Sequence, residues 1–156
     1  MRWADGLRAH LAVMERPNEA LLHNAVQMLG ELPSLDACTA ALDAPPDAPA
    51  PELPPWQGEL VQVDVLLSAG QFEEATPLIE ALVARAAAEG SPRLTAEANY
   101  RLGRLLMFRV EYEAAGATLE EAYLGAKPLG LDRLAAESAI MLVQLYGEGY
   151  HQSDEA

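Results

Sequence analysis

A forty-residue internal repeat constrains this chain more than any other feature. The run Gln71-Phe72-Glu73-Glu74-Ala75 returns as Glu111-Tyr112-Glu113-Ala114-Ala115, so Phe72 answers to Tyr112 and Ala75 to Ala115 at a step of 40 residues. The same step carries Ile79 to Leu119, Leu82 to Ala122 and Gly90 to Gly130. A third copy opens as Leu134-Ala135-Ala136-Glu137, echoing Leu94-Thr95-Ala96-Glu97, and runs out at Tyr150 before its second helix. Units of this length bury their apolar faces on one another, because one unit alone cannot cover its own.

Each copy reads as two antiparallel helices. Hydrophobic residues make up 51% and charged residues 22%, while aromatics are only 6%. Ala and Leu, which dominate the apolar set, lose least on entering a helix. The pattern predicts helices near 57–69 and 71–89, then 91–109 and 111–127, and a last one at 131–148. Gly90 suits the left-handed end of a helix, Ser91 the cap of the next and Pro92 its first position. Pro77 sits inside a helical pattern and predicts a bend or a late start there.

The N-terminal part has a different character. In residues 2–30 two helices are expected. Trp3, Leu7, Leu11 and Met14 form the stripe of the first, and Leu21, Leu22, Ala25, Met28 and Leu29 that of the second. Pro17 and Asn18 compete to start the second helix. Residues 1–42 therefore read as a helical pair with a further short helix. Six prolines (Pro45, Pro46, Pro49, Pro51, Pro54 and Pro55) make residues 43–55 an extended connector, with an SH3-type ligand as its rival reading. Residues 56–156 hold the repeats, two full and the third truncated. The fold class is all-α.

Composition limits the function. The net charge of −14 repels a phosphate backbone, which argues against nucleic-acid binding. A single cysteine, Cys38, excludes an internal disulfide, and no base partner for its thiol is evident. His10, His23 and His151 are scattered without metal-ligand spacing, so no metal or other cofactor is expected. Glu73-Glu74 and Glu120-Glu121 point about 100° apart on a helix and read as surface charges, not as an acid–base pair. No apolar run approaches the ~18–20 residues that span a bilayer, and the first residues lack a secretory signal pattern. The segment is expected to make no membrane contact. Its default compartment is the cytoplasm, and a membrane anchor carried upstream by a larger parent would place it beyond that membrane.

Leu102-Gly103, Tyr112, Ala115, Leu119 and Ala122 fall at the spacing of a tetratricopeptide (TPR) repeat, and the second copy resembles that family. The first copy matches at Gly70, Phe72, Ala75 and Ile79, with Val63 in place of the small residue. The step of 40 exceeds the family's usual ~34 and resembles its long-helix subtype. A narrower resemblance rests on Leu7-Arg8-Ala9-His10-Leu11-Ala12-Val13, on Leu32-Pro33-Ser34-Leu35-Asp36-Ala37-Cys38, and on the proline-rich joint before the repeats. Their order is similar to the region after the catalytic domain of large bacterial serine/threonine protein kinases that carry such repeats. The kinase motifs themselves are absent from these residues, so no catalytic residue is expected.

The tetratricopeptide resemblance implies an α-solenoid whose first helices line a concave groove for a protein or peptide. Carried onto this chain, the groove floor is Asp64 and Leu67; Glu97, Tyr100, Arg104 and Met107; and Glu137, Ile140 and Gln144. Asp64, Arg104 and Gln144 are equivalent by the 40-residue step and form a polar ladder, with an Asp64–Arg104 ion pair as the structural alternative. The Lys/Asn set that grips a C-terminal carboxylate in chaperone-binding relatives is missing. Arg93, Arg101, Arg104 and Arg109 concentrate basic charge at one helix, where Glu97 is spaced to neutralise Arg101. Self-association through the truncated third copy is a further expectation. The expected function is a regulatory protein-interaction scaffold in a bacterial signalling protein. The alternatives are an adaptor or sensor arm of another regulator, and a small helical enzyme, which would need an enclosed pocket with converging titratable groups.

Overall fold

The computed structural model describes residues 2–16, 18–30 and 54–149, and these are helical with no strand among them. In order they are α1 (Arg2–Met14), α2 (Glu19–Gly30), α3 (Gln57–Ser68), α4 (Phe72–Glu89), α5 (Pro92–Phe108), α6 (Tyr112–Ala126) and α7 (Asp132–Gln144). A single 3-10 turn (Lys127–Leu129) precedes α7, and a π turn (Leu145–Gly149) comes after it. The expected short helix within 31–42, most of the proline-rich connector, Pro17, Cys38 and the Leu32–Cys38 run lie outside the described residues. The all-α expectation holds for the described residues, and no described helix is long and apolar enough to cross a membrane.

The chain divides into two compact units, Met1–Gln71 and Phe72–Ala156. The boundary falls inside the first repeat copy, not at the proline-rich stretch, because α1 and α2 pack on α3. α3 is buried over most of its circumference, with Leu60, Val63 and the run Val65-Leu66-Leu67-Ser68-Ala69 all inside. A helix that is apolar on nearly every side must be surrounded.

The faces expected for α1 and α2 need correction. α1 turns Gly6, His10 and Val13 inward, while Leu11 and Met14 are exposed. On α2 Leu21 is buried and Leu22 faces solvent; the side chains of Trp3, Met28 and Leu29 lie outside those described. Asn18 starts α2, its Oδ1 accepting from the Leu21 amide at 2.7 Å as an N-cap side chain does.

In the second unit α4, α5, α6 and α7 pack each on the next, and α5 also meets α7. Turns this short force consecutive helices to run antiparallel. The contacts agree: Ala96 lies beside Gly125, Asn99 Nδ2 donates to Glu121 Oε2 at 3.1 Å, and Gly103 faces Leu119. At the far end of α5, Phe108 stacks on Phe72 with ring centroids 4.6 Å apart, and Arg109 Nη2 donates to Thr76 Oγ1 at 2.7 Å. The repeat reappears as burial. α4 buries Ala75, Ile79, Leu82 and Ala86, and α6 buries Ala115, Leu119, Ala122 and Ala126 at the same step.

Helix ends keep a stricter beat than the sequence announces. Gly70, Gly90, Val110 and Gly130 lie 20 residues apart and all take positive φ, at 74°, 58°, 63° and 65°. At each, two amide bonds reach back into the closing helix: Gly70 to Leu67 O and Gln71 to Leu66 O, repeated as Val110 to Met107 O and Glu111 to Leu106 O. Gly90 with Ser91, and Gly130 with Leu131, make the same pair. This is the Schellman arrangement, which needs one residue in the left-handed region. Three positions supply glycine and the fourth supplies valine. After Gly90, Ser91 Oγ accepts from the Leu94 amide at 3.4 Å and Pro92 opens α5, as the sequence predicts. Pro77 delays nothing, since α4 begins at Phe72 and runs through it.

Candidate interaction groove

The first-helix residues expected to floor a groove divide by burial. In the first unit Leu67 is a core residue and Asp64 is half-buried. In the second unit Glu97 and Tyr100 are buried on α5, whereas Arg104 and Met107 are half-buried. On α7 Glu137 is half-buried, and Ile140 and Gln144 are exposed. Leu67, Glu97 and Tyr100 therefore cannot present open side chains to a ligand, and the expected floor is corrected for these three. On α5 the cause is the helix's position, since it packs against α4, α6 and α7 and has little surface left.

Burial gives Glu97 a structural task. Its Oε2 accepts from Arg101 Nη1 at 2.8 Å, and the same Nη1 donates to the Glu97 carbonyl oxygen at 2.8 Å. The two side chains keep only 11% and 6% exposure, so each charge relies on the other for the solvation that it has lost. The basic strip expected along this helix thus loses Arg101 to the interior. Tyr100 belongs to a core cluster with Ala96, Leu119, Ala122, Ala126, Leu134 and Ala135. One turn on, the Arg104 guanidinium carbon stands 5.7 Å from the centre of the Tyr100 ring, a cation–π distance. On α7 Arg133 Nη1 donates to Glu137 Oε1 at 2.6 Å on an exposed surface.

Together α5 and α7 therefore offer Arg104, Met107, Glu137 and Gln144: one cation, one thioether, one carboxylate and one amide. Such a set can hydrogen-bond a peptide backbone and contact an apolar side chain. It contains no nucleophile–base pair. No group of three or more metal-ligating side chains occurs among the described residues.

Against family models, curated proteins and solved structures, the chain matches nothing.

A depression of about 560 Å³ lies elsewhere, at the α5–α6 turn, lined by Val110, Glu111, Tyr112, Glu113, Ala114 and Ala117. It is open to solvent, and no motif in the sequence points to it. The available signal is Val110 itself, standing one repeat step after Gly70 where a glycine belongs.

Proposed function

We propose that this chain is a non-catalytic protein-binding segment, built as a tetratricopeptide-type solenoid with a groove along its first helices. The observation that carries the reading is the direct meeting of α5 and α7 across the repeat step. First helices of successive units stand side by side in that arrangement, and side chains at equivalent positions share one surface. Arg104, Met107, Glu137 and Gln144 are the residues through which a peptide would be held, with Arg104 steadied by the Tyr100 ring. Recognition of an extended or helical segment by a preformed surface needs few anchors, and affinity then depends on how well the partner fills them. The charge of −14 supports a protein partner over nucleic acid.

The test is affinity capture with the intact chain, repeated with Arg104→Glu. Recovery of a groove partner is expected to fall at least about tenfold in the variant. Undiminished recovery removes the groove from the reading.

A regulatory place within a larger bacterial serine/threonine kinase is part of the same proposal, supported by the resemblance of the Leu7–Val13 and Leu32–Cys38 runs. The genomic reading frame tests it: a kinase domain encoded ahead of Met1 is the expected finding. A different upstream domain would leave an adaptor or sensor arm instead.

A further inference from the structure

We draw no further inference here: the strongest candidate, the exposed apolar stripe of Ala136, Ile140 and Val143 along α7, carries nothing because nothing in the structure shows what covers it.

Discussion

Gly103 lies so close to Leu119 that a methyl group built on its α-carbon would stand 2.6 Å from Leu119 Cγ. That is inside any tolerable carbon–carbon contact, and Leu119 is fully buried with nowhere to retreat. Gly103→Ala is therefore expected to destabilise the chain by about 1–3 kcal/mol from overpacking, even though alanine favours a helix interior by about 1 kcal/mol. Urea denaturation reads the difference. In a Leu119→Ala background the penalty should shrink or reverse, and an equal penalty in both backgrounds would mean that the two residues do not oppose one another.

Val110 is the one described non-glycine residue with positive φ. A β-branched side chain in the left-handed region costs about 1–2 kcal/mol, and glycine, freer when unfolded, would recover only part of that. Val110→Gly should raise the stability by roughly 0.5–1 kcal/mol, with little packing lost because the side chain is exposed. A lower melting temperature in the variant would show that the valine contributes something its strain conceals.

Removing one member of the Glu97–Arg101 pair leaves the other charged and buried. Glu97→Ala is expected to cost roughly 3 kcal/mol, and Arg101→Met in the same background should recover much of it. The double-mutant cycle is the measurement. Additive effects would place the stabilisation elsewhere.

Two buried serines lead to opposite expectations. Ser138 Oγ donates to the Leu134 carbonyl at 2.8 Å, whereas Ser68 Oγ is buried with no hydrogen-bond partner among the described residues. Ser68→Ala should be neutral or stabilising by up to about 1 kcal/mol, and Ser138→Ala should destabilise by about that much. Equal losses at both sites would contradict the assignment.

The repeat region was legible because its rule is steric. Small residues at Gly103 and Ala115, and glycines at 70, 90 and 130, stand where helices touch or end, and larger ones would clash or strain the turn. Helix bounds matched within a few residues. The α1 face was not legible, since two apolar stripes overlap along that helix. The winning one runs through His10, whose ring is buried with Nδ1 bonded to the Gly6 carbonyl at 2.8 Å, and a pattern that counts histidine as polar selects the other. Groove positions were borrowed from a shorter repeat unit. They did not anticipate that α5, enclosed by three helices, would draw Glu97 and Tyr100 inside.

The constant interval between chain reversals has a consequence for how such a molecule can change length. Every reversal flips the direction of travel, so copying in a single helix with its turn would leave all later helices pointing the wrong way. Copying in two restores the heading and returns each small residue to its opposite number. Viable duplications should therefore come in multiples of forty residues, joined at turns such as Gly90, while a single residue inserted within a helix would rotate the remainder of that helix by about 100°.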